Sequence, residues 1–388
     1  MRKFVVEEGP YIKANDEHLR NSQQNMLFFS IALIPICLFG WIINGIVPLI
    51  YKIDNFSFIN MLTPLLNIIV GILSSVLFEG IYFFFFLKVK DFKMLINKII
   101  NNYGVVISVI LTILLPPFVP FYVIIFGSFI SNIVFKMLFG GYGYSIFNPS
   151  LLGYVICVLA FNSIVMNSGN YQIEILNKLF DTTFNSSIDM LIGGNGKILP
   201  YAFLKEHYGG LLKMFLGLKT GCIGGMSPFI CTIAFVFLLA NRVINWRTPV
   251  YYLATIFVLT WIVGIMLGVE GGCFGIWYPT YSILAGPTMF CGIMVATEPI
   301  TTPEMPNGKI IYAIAAGILT IMIRYIRGID GTITSILFMC LFTPLINRFA
   351  AINRGHEINS KMIFNYLIIL AIFIVCIVYM FYRIKYIY

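Results

Sequence analysis

The sequence predicts an all-α polytopic membrane protein of about ten to eleven transmembrane helices, arranged as two inverted repeats that contain broken helices. Three observations predict this class. The 388 residues are 59% hydrophobic and only 11% charged, with a mean hydropathy of +0.91, so water cannot be the main solvent. Apolar stretches long enough to cross a bilayer, about 20 residues each, recur from Met26 to the C-terminal end. Glycine and proline interrupt them at corresponding places in the two halves.

The opening run Met1-Arg2-Lys3-Phe4-Val5-Val6-Glu7-Glu8 carries bases, then acids, and no apolar core before Met26. It does not read as a cleaved signal peptide, and residues 1–25 are expected as a cytoplasmic segment. Spans are expected near 26–50, 60–87, 104–115, 121–138 and 149–166, which make up a first membrane repeat over 26–166. The prolines of Leu114-Leu115-Pro116-Pro117-Phe118-Val119-Pro120 cannot continue a helix and bias the residues before them to extended geometry, which predicts a tight re-entry between two helices. Residues 167–220 are polar and are expected as an extracytoplasmic loop. Spans near 222–241, 249–268, 281–297, 309–326 and 331–349 form the second repeat, 221–350, and 351–388 adds a further transmembrane helix, near 363–382, and a tail.

Charge sets the expected orientation, because short cytoplasmic loops collect Lys and Arg. With the N-terminus inside, the inner side gathers Arg2, Lys3, Lys13, Arg20, Lys88, Lys90, Lys93, Lys98, Lys136, Arg242, Arg247, Lys309, Arg348, Arg354 and Lys361. The short outer loops hold only Lys52, Arg324 and Arg327. The formal charge of +9 thus follows from membrane topology. No aromatic-interleaved basic patch points to nucleic acid.

The interruptions are Gly140-Gly141-Tyr142-Gly143-Tyr144-Ser145-Ile146-Phe147-Asn148-Pro149 in the first half, and Gly286-Pro287 followed by Ala296-Thr297-Glu298-Pro299-Ile300-Thr301-Thr302-Pro303 in the second. A broken helix frees backbone N–H and C=O groups, which hydrocarbon penalises by several kcal/mol each, so such breaks belong where they line a polar site. Ordinary tight loops are the plainer reading of the same residues. Glu298, an acid beside a membrane segment, is a functional candidate or an interfacial carboxylate at a helix end. Asn148 and Thr297 stand at corresponding breaks, suited to binding a ring or to holding exposed backbone.

Other residues read more simply. Cys37, Cys157, Cys222, Cys231, Cys273, Cys291, Cys340 and Cys376 lie singly in or beside apolar segments, with no close pairing and no neighbouring histidine. They indicate neither zinc nor a disulfide framework, and no metal site is expected at His18, His207 or His356. Glu270-Gly271-Gly272-Cys273-Phe274-Gly275 follows a membrane helix rather than a strand, so it reads as a bend and not as a phosphate-binding loop. The run Tyr82-Phe83-Phe84-Phe85-Phe86 is lipid-facing or helix-packing surface.

Four segments together resemble one family, which unites the homologous D subunit of the Rnf complex and B subunit of the sodium-translocating NADH:quinone oxidoreductase. Gly9-Pro10-Tyr11-Ile12, followed by Ile31-Ala32-Leu33-Ile34-Pro35, is similar to the family's approach to its first helix. The run from Leu114-Leu115-Pro116-Pro117 through Lys136 and Gly140-Gly141-Tyr142-Gly143 to Phe147-Asn148-Pro149 resembles LPP…K…GGxGxNxFNPA, with Ser145 for Asn and Ser150 for Ala. Gly217-Leu218-Lys219-Thr220-Gly221-Cys222-Ile223-Gly224-Gly225-Met226-Ser227 resembles GxxxGSxGExS, with Gly225 in the place of Glu. Ala296-Thr297-Glu298-Pro299-Ile300-Thr301-Thr302-Pro303 resembles ATDPVTSP, with Glu for Asp. The likeness covers roughly residues 9 to 350, and the segment 363–382 exceeds the ten helices that the family implies.

The resemblance implies a multi-pass subunit of the bacterial cytoplasmic (inner) membrane that relays electrons through flavin mononucleotide, FMN, while its complex moves sodium ions or protons. It is not catalytic alone. It also implies that the flavin phosphate is esterified to a hydroxyl in a motif resembling D-x-x-S-G-A-T in the extracytoplasmic loop. Asp181-Thr182-Thr183-Phe184-Asn185-Ser186-Ser187 gives that register, with Ser187 as acceptor. Phe184, Asn185 and Ser186 replace the small Ser-Gly-Ala of the motif. Ser187, Asp181, Asn148, Gly221, Gly224, Ser227, Thr297 and Glu298 are therefore the candidate cofactor contacts, with riboflavin as a further candidate ligand. Implied partners are membrane lipid, a soluble NADH- or ferredoxin-facing subunit, a second flavin subunit and small membrane subunits that hold an iron–sulfur centre. A flavin-free channel or carrier for a small solute on the same scaffold is the alternative.

Overall fold

Long apolar runs without internal breakers become long helices, and the punctuated runs become pairs of shorter ones. The computed structural model describes residues 22–54, 56–141, 143–180, 197–327, 331–352 and 360–387. Helix α1 (Ser22–Trp41) passes through a π-helical turn (Ile42–Ile46) into α2 (Val47–Ile50), and α3 (Phe58–Phe85) starts where the Ser57 side chain accepts the Asn60 N–H at 3.4 Å. Helices α4 (Phe92–Asn102) and α5 (Gly104–Leu114) meet at a 47° bend on Tyr103, which adopts φ 55. After the proline turn, α6 (Phe121–Phe129) winds into a π-helical stretch, Ile130–Met137.

Asn148 then caps α7 (Pro149–Ala160), and α8 (Asn162–Phe180) turns away from it by 96°. The short helices α9 (Tyr201–Tyr208), α10 (Leu211–Leu216) and α11 (Ile223–Met226) lead into α12 (Pro228–Ala240). Next come α13 (Arg247–Met266), α14 (Trp277–Leu284) and α15 (Thr288–Phe290), the last continuing into a π-helical stretch, Cys291–Val295. The chain closes with α16 (Pro306–Arg327), α17 (Gly331–Ile352) and α18 (Ser360–Ile387).

The described residues are thus all-helical apart from loops and the single backbone contact Ile198 N–H to Leu267 O at 3.3 Å. Among the described residues six helices are long and apolar enough to cross a membrane, or up to eight if each bent pair is one span. The larger number expected from sequence also counts shorter apolar segments, of which Phe121–Met137 and Pro228–Ala240 form helices below the full spanning length. The segment 281–297 differs from expectation: it is not a continuous helix. It breaks at Ala285-Gly286-Pro287, where Ala285 is extended and Gly286 takes φ 58. The polar stretch from 167 begins as helix α8 rather than as loop, because high polarity lowers hydropathy without forbidding helical geometry.

Ser227 fixes the start of α12. Its hydroxyl accepts the Ile230 N–H at 3.2 Å and donates to Leu216 O at 3.4 Å. Ser227→Ala is expected to lower the thermal unfolding midpoint of the purified protein by an amount matching about 1 kcal/mol, the usual worth of an N-cap; an unchanged midpoint would show that the cap is idle.

Packing divides into two groups of helices. In the first half α3 packs on α5 and α6, and α5 on α7; in the second α13 packs on α16, and α16 on α17. Contacts of α1 with α12, of α5 with α11 and of α7 with α17 join the groups. One apolar core runs through both, from Phe29 and Ile110 to Phe290 and Ile336. Both punctuated motifs directly follow a π-helical stretch, Gly140-Gly141 after Ile130–Met137 and Ala296–Pro299 after Cys291–Val295. The glycines are required at the first: Gly140 and Gly141 adopt φ +110 and +92, where a side chain would be strained.

Candidate functional site

Charged groups inside an apolar bundle are costly unless paired, so the fully buried ones locate the site. Glu79 is the one charged residue of α3 and is 0% exposed. Its Oε1 receives Lys136 Nζ at 2.6 Å and Asn102 Nδ2 at 2.8 Å. Lys136, also 0% exposed, is delivered by the π-helical stretch that follows α6. Gly104 makes room for the pair: a Cβ there would stand 2.1 Å from Glu79 Oε1 and 2.8 Å from Asn132 Oδ1. The second carboxylate oxygen, Glu79 Oε2, and Asn132 Oδ1 are buried with no hydrogen-bond partner. Asn132 uses its amide nitrogen instead, donating to Ser108 Oγ at 2.7 Å and Ser128 O at 3.0 Å.

A second buried carboxylate comes from the other half of the chain. Glu298 is 1% exposed and lies within electrostatic reach of Lys136. Its Oε2 accepts from Asn148 Nδ2 and, at 3.5 Å, from Thr301 Oγ1. Asn148 serves both halves at once. Its Oδ1 accepts the N–H groups of Ser150 (3.1 Å) and Leu151 (3.3 Å) and the Ser150 hydroxyl (2.5 Å), which caps α7, while its amide nitrogen crosses to Glu298. Thr302 Oγ1 donates to Glu298 O, and Thr343 Oγ1 on α17 donates to Thr301 O at 2.9 Å. The result is two buried polar clusters, Asn102–Glu79–Lys136 and Glu298–Asn148, the second bridging the breaks of the two halves. Such acceptors, with one ammonium, can hold or pass a small cation or a proton.

The structure brings together only some of the residues picked from sequence. Asn148 and Glu298 touch, and Thr297 is adjacent, but its hydroxyl donates back to Ile293 O in its own helix. Gly221, Gly224 and Ser227 form a separate region. Gly224 packs on the Phe290 ring, where a Cβ would come within 3.1 Å, and Ser227 is engaged as the α12 cap. Gly221 is open: its φ is +140, a Cβ would meet nothing within 4 Å, and its N–H reaches Gln172 Oε1 at 3.4 Å. At Gly225 a side chain would meet Pro287 Cα at 2.9 Å and Gly286 O at 3.1 Å, so the backbone closes the space that a carboxylate would need. Asp181 and Ser187 lie outside the described residues.

Two charges counted towards topology are not loop charges. Lys136 is the buried partner of Glu79, and Arg324 is 1% exposed. The guanidinium of Arg324 donates to Ser282 O (2.9 Å), Ser282 Oγ (2.7 Å) and Thr288 Oγ1 (2.9 Å), clamping the broken segment α14–α15 to α16. Lys219 likewise donates to the carbonyl oxygens of Leu284 and Gly286 at that break. Sequence reasoning misses Glu79, Asn102 and Asn132 as site residues. A signal for Glu79 is present, since it is the one charge in the 28-residue apolar helix α3, and ionisable groups at membrane depth are functional candidates. Among the described residues no group of His, Cys, Asp and Glu is arranged to hold a metal ion.

Residues 5–354 match the NQR2, RnfD, RnfE family. The chain is similar to the D subunit of the proton-translocating ferredoxin:NAD(+) oxidoreductase complex of Clostridium ljungdahlii, with 29% identity over 351 residues, covering 89% of this chain and 94% of that one. It is similar to the D subunit of the ion-translocating oxidoreductase complex of Mannheimia succiniciproducens, with 26% identity over 68% of this chain and 80% of the relative. The same-named subunit of Haemophilus influenzae is 26% identical over 80% of this chain and 90% of its own. Helix α18 lies beyond the matched residues.

Proposed function

Because the chain belongs to the NQR2, RnfD, RnfE family, we propose that it is the D subunit of an Rnf-type ion-translocating oxidoreductase complex in a bacterial cytoplasmic membrane, where it couples electron relay to movement of a proton or sodium ion. The buried pairs Glu79–Lys136 and Glu298–Asn148 support the ion half of this reading. Two carboxylates and one ammonium lie inside an apolar bundle, and Glu298 lies where the two helix breaks meet. Such groups are expensive to retain at membrane depth and mark ion or proton pathways. Lys136 pairs with Glu79, which leaves Glu298, held by the neutral Asn148 and Thr301, as the carboxylate that would take a cation. Glu79 Oε2 and Asn132 Oδ1 supply further acceptors on that route.

The electron half rests on the family and on residues 181–187. Bound flavin would supply the redox chemistry. Ser187 would furnish the phosphoester hydroxyl, and Asp181 would open the motif. Among the described candidates Gly221 suits an approaching ligand, since the space over its Cα is open. Asn148 and Glu298 satisfy each other in the interior and belong to the ion route. The partners are the other subunits of the complex, including a soluble ferredoxin- or NADH-facing one.

Two variants in the complete complex, reconstituted in vesicles, separate the halves. Glu298→Gln should reduce redox-driven ion uptake at least about tenfold, ~1.4 kcal/mol on the limiting step, and leave the flavin fluorescence of the denatured subunit unchanged. Ser187→Ala should abolish that fluorescent band. Wild-type uptake in Glu298→Gln would remove the carboxylate from the ion route. A wild-type chain without a fluorescent band, beside a flavin transferase active on a control subunit, would remove the covalent flavin and favour the solute-carrier alternative.

A further inference from the structure

Helix α18 lies beyond the family match and packs chiefly on α16. Much of its surface faces outward, with Leu370 at 53%, Val375 at 67% and Val378 at 61% exposure. Between α16, α17 and α18 it leaves a groove with a cavity of about 350 Å³, lined by apolar side chains except for Asn365. One end lies at Ile311, Phe349 and Asn365, and the other at Leu319, Met339 and Cys376.

Length and lining indicate what fits. Asn365 and Cys376 are eleven residues apart on α18, and Ile311 and Leu319 eight apart on α16. At 1.5 Å per residue the groove is about 12–16 Å long, close to half of a ~30 Å hydrocarbon core and so to one leaflet. It is open along its side and apolar over that length, with Asn365 at one end, the pattern that suits a lipid with one polar head and an extended hydrocarbon chain.

The mouth is polar. Arg348, which is exposed, follows the lining residue Leu345 by three positions and shares its face of α17. Asn365 opens the groove on α18, and beside it Asn307 donates to Tyr366 Oη at 3.2 Å. Glu304 adds an acid to this rim, and its N–H is bound by Asn347 Oδ1 at 3.0 Å. By the charge rule this is the cytoplasmic end.

We propose that the α16–α17–α18 groove is a phospholipid site of the inner leaflet, with one acyl chain in the cavity and the phosphodiester over Arg348 and Asn365. Helix α18 thereby completes a lipid-filled wall rather than a dry one. The site stands apart from the ion and flavin reading and does not depend on it.

The test is native mass spectrometry of the full chain, purified from membranes in mild detergent, with phospholipid quantified after detergent exchange. One phospholipid per chain should persist in wild type. Ala315→Phe and Leu319→Phe, which fill the groove, should each reduce retention about tenfold, and Arg348→Gln severalfold. Leu370→Phe, on the outer face of α18, should leave retention unchanged. Equal retention in wild type and both groove-filling variants, or exchange of all lipid for detergent in wild type, would overturn the proposal. So would cross-linking of the Leu319→Cys variant to another subunit's helix in the complete complex, because a protein occupant excludes the lipid.

Discussion

Lys136→Met is expected to destabilise the protein by about 3–5 kcal/mol, the cost of leaving a buried carboxylate without its counter-charge. Glu79 and Lys136 are both 0% exposed and sit 2.6 Å apart, so neither water nor lipid can replace the lost ammonium. Asn102 still donates to Glu79 Oε1, but a neutral amide does not neutralise a charge. The double variant Glu79→Met, Lys136→Met removes both charges and should recover most of the loss, since an apolar pair of similar size is often as stable as a buried ion pair. Apparent unfolding midpoints in detergent for the two single variants and the double one measure this. If the double variant is no better than Lys136→Met alone, the pair is not the source of the effect. Transport should fail in the double variant even where stability returns, which separates the structural part of the pair from its place on the ion route.

Gly104→Ala is expected to cost up to about 3 kcal/mol, at the top of the range for overpacking. The added Cβ would stand 2.1 Å from Glu79 Oε1 and 2.4 Å from its Cδ. A long side chain ordinarily swings aside from such a contact. This one is held by Lys136 at 2.6 Å and Asn102 at 2.8 Å, so relief from the clash pulls apart the ion pair. Gly80→Ala serves as the control, because its Cβ would meet only Ile99 Cδ1, at an ordinary 3.8 Å. Equal unfolding midpoints for the two alanine variants would show that the carboxylate moves freely and that Gly104 is not a spacing residue.

Much of the fold is legible in the sequence because bilayer insertion depends on summed local hydropathy, which a linear reading captures. The runs 26–50, 60–87, 249–268, 309–326, 331–349 and 363–382 all appear as long helices. The proline turn at 115–120 falls between α5 and α6, and the glycine and proline motifs end or begin helices. The segment 281–297 reads as one span because its hydropathy is high on both sides of Gly286-Pro287, while the break depends on backbone geometry that hydropathy does not record. Lys136 and Arg324 read as loop charges for a similar reason: charge type is written in the sequence, but burial is not.

The candidate site is legible in part. Asn148 and Glu298 can be selected because each stands at a conspicuous break in an apolar pattern. That they touch, 150 residues apart in the chain, cannot be read. Glu79 carries a readable signal as a lone acid in α3, yet its partner lies 57 residues away on a π-helical stretch that no local pattern announces.

Local hydropathy and the backbone restrictions of glycine and proline are enough to establish that this chain is a multi-pass helical membrane protein and where its helices are interrupted. They do not establish which interruptions meet, that Lys136 pairs with Glu79 inside the bundle, or that α18 leaves an apolar groove against α16 and α17. Those outcomes came from the folded arrangement alone. They depend on helix packing over long sequence separations, where the need to neutralise buried charge and fill apolar volume selects one arrangement among the many that the same local pattern allows.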